Sequence, residues 1–250
     1  MTVRAFTRFK ALLLILMALF FAEKYVSGKL YFYIGPRFSW LAIVAVGLLI
    51  LLAGSYNLVE GQKGRDPSTH KHEHPYSGPV DRTAVWSLVM VALPLVLGVL
   101  VPARPLGASA VPNRGVTTNL AVAADRNSDT LSVVPAERNL LDWVRLISAN
   151  PDPGALNGEE ADVVGFVYRD PRFASDQFMV ARFTITCCVA DALAIGVVVS
   201  ADEAAEYPPD TWVRVRGTFQ EGYLDEAAVP VLMADEITPV QPPEQPYLYP

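Results

Sequence analysis

DVVGFVYRDPRFASDQFMVARFTITCCVADALAIGVVV, residues 162–199, decides the fold of the soluble half and holds both cysteines of the 250-residue chain. Val163, Gly165 and Val167, then Met179, Ala181, Phe183, Ile185 and Cys187, alternate with other residues in a run rich in β-branched and aromatic side chains. That period of two predicts two half-buried strands joined by the turn RDPRFASD. Working outward, strands are expected at about 162–168, 178–187, 194–200, 212–220 and 231–237. Five short strands separated by turn signals predict an all-β domain over 139–240, an OB-like five-stranded barrel. Asn139 is positioned to cap a leading helix, LLDWVRLISA, whose Leu140, Trp143, Val144 and Ile147 share one face.

Upstream the composition changes. Hydrophobic residues make up 52% of the chain and its mean hydropathy is +0.28, which indicates a membrane class. Residues 1–103 carry 10 Lys and Arg against 5 Asp and Glu, whereas residues 104–250 carry 10 against 21. A basic membrane half is therefore joined to an acidic soluble half. Three transmembrane helices are predicted, at about 9–27, 38–58 and 84–101. In the first, Arg4, Arg8 and Lys10 precede the apolar run 11–22 and Glu23, Lys24 and Tyr25 follow it with no small-residue cleavage site, so an uncleaved helix is expected. The third contains Pro94, a kink position. Residues 104–138, rich in Ala, Pro, Asn and Ser, read as a linker, and 241–250 as a Pro-rich tail.

Lys and Arg in the short loops set the orientation. Arg4, Arg8 and Lys10, together with Lys63, Arg65, Lys71 and Arg82, outnumber Lys24, Lys29 and Arg37. A multi-pass protein of the cell membrane is expected, with its amino terminus cytoplasmic and its β domain extracytoplasmic.

Two clusters carry the chemistry. His70, His72 and His74 are all the histidines of the chain and alternate along one segment, so they could converge on a weakly bound divalent metal; a solvated polar loop is the alternative. Adjacent Cys187 and Cys188 have Cα atoms about 3.8 Å apart, below the ~4.4 Å usual for a disulfide. A regular strand would turn Cys187 inward and Cys188 outward beside Thr186 and Arg182, unless the backbone bulges there. Two readings stay open: a soft-metal or redox site, with Cys187, Cys188, Asp191 and Arg182 as its ligand-binding residues, or one core thiol next to one partly exposed thiol. The acidic balance disfavours nucleic acid. With no nucleophile elbow, no phosphate loop and no histidine in the soluble half, an enzyme is not expected.

GFVYRDPRF, VARFTITCCVADA and WVRVRGTF, with SGKLYFYIGPRF between the first two helices, resemble the conserved core of the DUF1980 or YcgQ-like family of bacterial membrane proteins. The resemblance covers most of the chain, from about residue 28 to about residue 217. It implies an accessory subunit of a two-component membrane permease, working beside a polytopic permease on metal or metalloid-type solutes. The alternative is a stand-alone tethered module that uses the vicinal cysteines for binding or sensing.

Overall fold

The computed structural model describes residues 3–62, 82–114, 116–117 and 138–250. They divide into two compact units, Met1–Arg104 and Pro105–Pro250.

The first unit contains α1 (Val3–Val26), α2 (Trp40–Gln62) and α3 (Arg82–Leu100). Within it Pro36–Tyr56, 21 residues of mean hydropathy 2.3, is the one stretch among the described residues long and apolar enough to cross a membrane. α1 is long, but charges at both ends shorten its apolar run. In α3 the described residues supply the shorter apolar stretch Leu88–Leu100. Of the three expected spans, one is thus supported by length and composition.

Where α1 packs along α2, small residues are buried, among them Ala18 and Ala53, which lets the two backbones approach closely. Between these helices Gly28 takes φ 73°, and the amides of Ser27 and Gly28 donate to the carbonyls of Glu23 and Tyr25. This left-handed closure of a helix favours glycine and accounts for the first residue of the GKL signature.

The second unit is built on a six-stranded mixed sheet. Its strands are β1 (Val116–Thr117), β2 (Glu160–Tyr168), β3 (Gln177–Thr184), β4 (Leu193–Ser200), β5 (Trp212–Leu224) and β6 (Ala227–Pro239). Their order is β1-β4-β3-β2-β5-β6, with a further parallel pairing of β4 with β6 through Val198 and Val231. Following the ladders from β2 through β3, β4, β6 and β5 leads back to β2.

Two short helices flank the sheet, α4 (Val111–Arg114) and α5 (Leu140–Ala149). The α5 helix begins with a reciprocal capping box between Asn139 and Asp142 and buries Leu140, Leu141, Trp143 and Val144. Trp143 meets Phe219 of β5 with ring centroids 5.0 Å apart.

The β2 and β3 strands are not half-buried, as the alternation suggested. Val163, Val167, Phe178 and Val180 face the core that α5 closes, while Phe166, Tyr168, Met179, Ala181, Phe183 and Ile185 belong to a second buried cluster. Cross-strand partners share a face, Val167 with Val180 and Phe166 with Ala181. The residues expected to point the same way on the two strands therefore lie in different clusters.

The second cluster is covered by segments that the sequence presented as linker and tail. Ala108 and Val111 are buried in it, as is Tyr247, whose hydroxyl accepts from the Leu106 amide at 2.9 Å. Ala108 is further fixed by its amide donating to the Asp210 carboxylate.

Candidate functional site

Residues 185–191 form a turn at the end of β3. The ladder with β4 stops at Thr184–Leu193, and Ile185 is the last fully buried residue of the run. Thr186 is exposed. The chain is then gathered around Asp191, whose carboxylate accepts from the amides of Thr186 at 3.0 Å and Cys187 at 2.8 Å. A 3-10 turn, Val189–Asp191, brings that carboxylate back onto the preceding residues, with the Asp191 amide donating to the Cys188 carbonyl at 3.0 Å. Arg114 braces the turn from outside by donating to the Ala190 carbonyl at 3.2 Å.

This arrangement corrects the expected strand over 178–187. Cys187 and Cys188 do not alternate between core and solvent; both are free thiols of intermediate exposure, with their Sγ atoms 3.7 Å apart. The physical reason is local. A short carboxylate side chain that can satisfy neighbouring amides competes with the sheet ladder for them, and here it wins.

The same contacts set the electrostatics. The Asp191 carboxylate beside it, then the Cys188 sulfur, push the Cys187 thiol up to about 11. For Asp191 itself burial acts upward, but the Cys187 thiol and the surrounding amides outweigh it, and the carboxyl is held below its ordinary range. Cys187 is thus a protonated thiol at neutral pH, the reverse of the depressed pKa that makes a cysteine a nucleophile or redox centre.

Arg182 lies on β3 but serves the tail. Its guanidinium donates to the carbonyls of Pro246 at 3.0 Å and Gln245 at 2.7 Å, and stands 5.7 Å from the centre of the Trp212 ring. Burial pulls its pKa down to about 10. The tail then runs beside the end of β3, where Leu248 receives a bond from the Ile185 amide at 3.0 Å and gives one to the Phe183 carbonyl at 2.9 Å. The tail therefore pins the residues immediately before the cysteines. Of the four ligand candidates, Cys187, Cys188 and Asp191 come together, while Arg182 is drawn into the tail latch.

The remaining motif residues shape the fold. Arg169 donates to the carbonyls of Gln177, Ala204 and Tyr207, drawing the β4–β5 loop onto the β2–β3 turn. Arg172 and the Tyr168 hydroxyl both donate to Asp170, and that arginine beside it holds the Asp170 carboxyl down at about 2. On the outer face Arg214 bonds Asp162 through two nitrogens at 2.7 and 2.6 Å, and Arg216 bridges Asp162 and Glu236. His70, His72 and His74 lie outside the described residues. Among the described residues, no group of three or more His, Cys, Asp or Glu side chains is placed to hold a metal ion.

The tail latch is what sequence reasoning missed. Its one sequence signal is the pair Tyr247-Leu248, apolar residues inside a run of prolines.

Comparison with known proteins covers nearly the whole chain. Two family models match it, the DUF1980 N-terminal domain over residues 9–117 and the DUF1980 C-terminal domain over residues 112–250. The chain is 24% identical over 289 residues to "UPF0703 protein YcgQ" of Bacillus subtilis (strain 168), covering 96% of this chain and 99% of that protein. It is 26% identical over 262 residues to a Streptococcus mutans protein named "Putative two-component membrane permease complex subunit", covering 90% and 92%.

Proposed function

The chain belongs to the DUF1980 family, and from that premise we propose that it is the accessory subunit of a two-component membrane permease, not itself an enzyme. The observation that carries this reading is the near full-length similarity to the Streptococcus mutans protein bearing that name. The apolar surface of α2 fits it: Leu41, Ile43, Leu48 and Leu51 are outward-facing, as lipid contact requires. In this reading α1 and α3 also cross the bilayer, with Lys10 and Lys24 reaching toward the interfaces. The closed circuit of ladders through β2–β6 supports reading the carboxy-terminal unit as an OB-like barrel.

Sequence composition divides the labour between two proteins. The middles of the three helices hold no ionisable residue to mark a transport path. The path therefore lies in a polytopic partner, for solutes of metal or metalloid type, and this subunit supplies the recognition unit. The Lys and Arg bias of the short loops supports a cytoplasmic amino terminus and an extracytoplasmic carboxy-terminal unit.

Two measurements test the proposal. Purification of the native protein in mild detergent is expected to recover a polytopic membrane protein in stoichiometric amount; recovery of this chain alone at native abundance sinks the permease reading. Reporters fused after Asn57, after Arg104 and at Pro250 are expected to report cytoplasmic, external and external positions, and a cytoplasmic signal at Pro250 reverses the topology.

A further inference from the structure

We infer that Cys187 and Cys188 form the protein's half of a binding site for a thiophilic d10 cation such as Zn²⁺ or Cd²⁺, two thiolates with the remaining coordination positions left open. The inference stands apart from the permease reading, since it needs only the geometry of the turn.

The spacing of the sulfurs is the first argument. Two thiolates bound at ~2.3 Å to a tetrahedral centre lie about 3.8 Å apart. The two Sγ atoms stand 3.7 Å apart, and neither cysteine is fully buried. A single ion can therefore be chelated without moving the backbone. The spacing does not suit a disulfide, which needs sulfurs at ~2.05 Å and Cα atoms at ~4.4 Å or more.

The coordination number is the second argument. Both Asp191 carboxylate oxygens are engaged by amides of the turn, so Asp191 fixes the cysteines and is not a third ligand. The described residues supply no third His, Cys, Asp or Glu. A closed structural site takes four protein ligands, whereas a site with open positions accepts ligands carried by water, a small molecule or a partner. Thiolate pairs select soft and borderline ions over Mg²⁺ or Ca²⁺.

Binding balances as one divalent ion gained and two thiol protons released to solvent, with no change of oxidation state.

The test is titration of the purified full-length protein in detergent with Cd²⁺, read by thiolate-to-metal charge-transfer absorption. These are the only cysteines in the chain, so the signal can come from nowhere else. The expected result is saturation at one Cd²⁺ per chain, reversal by EDTA, and loss of the absorption in Cys187→Ser and in Cys188→Ser. Independently of any variant, Cd²⁺ is expected to protect both thiols of the native chain from N-ethylmaleimide, read by intact mass. Absence of the absorption, or alkylation at the same rate with and without Cd²⁺, overturns the inference. Co-purification of a permease with no Cd²⁺ binding defeats this inference alone, and Cd²⁺ binding with no partner defeats the permease reading alone.

Discussion

Gly217→Ala is expected to lower the melting temperature of the carboxy-terminal unit by about 10 °C, the shift that about 3 kcal/mol produces in a unit of this size. Gly217 sits in β5 where the register with β6 slips: Arg216 pairs with Glu236, but Gly217 pairs with Ala234. Asp235 is thus the extra residue of a bulge, and the bulge drives the β6 backbone against the Cα of Gly217. A Cβ added there would lie 2.0 Å from the Met233 carbonyl oxygen and 2.8 Å from its carbon. No rotamer change relieves a clash with backbone, so the hairpin must shift or the bulge must be lost. Overpacking costs 1–3 kcal/mol even where side chains can adjust, hence the upper end of about 3. Gly154→Ala is the control, because its nearest neighbour is the Asn157 side-chain nitrogen at 3.3 Å, and its cost is expected to stay within about 0.5 kcal/mol. Limited proteolysis of the full-length chain across a temperature series measures both. Melting of the Gly217 variant within a degree or two of the native chain would show that the β5–β6 contact is slack.

The fold was legible wherever one residue period dominated. Strands β2 to β6 all fall on expected segments, and Asn139 with the Leu140, Trp143, Val144 face announced α5 because capping and periodicity agreed. The facing of β2 and β3 was not legible. When both sides of a strand are apolar, as in Phe166-Val167 or Phe178-Met179-Val180, alternation no longer says which side is the core. What buries the second side is residues 105–114 and 241–250, whose proline, alanine and glycine content has no period to read. Their docking rests on single long-range contacts such as Leu106 to Tyr247, 141 residues apart in sequence. Among the helices, α2 was plain because apolar residues surround it, whereas charges at both ends of α1 interrupt its apolar run.

The candidate site was half legible. Two adjacent cysteines with an aspartate three residues on can be seen in any reading of the chain, and the structure does gather Cys187, Cys188 and Asp191. Their geometry could not be seen, because it turns on whether the amides of Thr186 and Cys187 pair with a neighbouring strand or with a side chain. Arg182 illustrates the opposite error. Five residues before Cys187 in the sequence, it looked like a ligand, yet its donors are taken by carbonyls more than 60 residues away.

Tyr247→Ala is expected to cost about 3 kcal/mol and to expose the cysteine turn, joining the stability of the unit to the accessibility of its thiols. The ring of Tyr247 is 2% exposed within the second core cluster, and truncation of a buried aromatic side chain costs about 3–5 kcal/mol. Its neighbours depend on it. Without the ring to seat the tail, Leu248 loses its purchase on the Phe183 carbonyl and the Ile185 amide, and the guanidinium of Arg182 loses the Gln245 and Pro246 carbonyls. Those residues lie directly before Thr186, so local opening of the turn becomes easier even while the unit remains folded. N-ethylmaleimide labelling of Cys187 and Cys188 in the folded full-length protein is expected to run about tenfold faster, the ratio given by about 1.4 kcal/mol of lost local stability. Tyr247→Phe keeps the ring and removes the acceptor for the Leu106 amide, so it is expected to cost only about 1 kcal/mol and to leave labelling close to the native rate. If Tyr247→Ala lowers the melting temperature but labelling below that temperature stays at the native rate, the turn is held by Asp191 and Arg114 alone, and the tail is a staple of the core with no hold on the thiols.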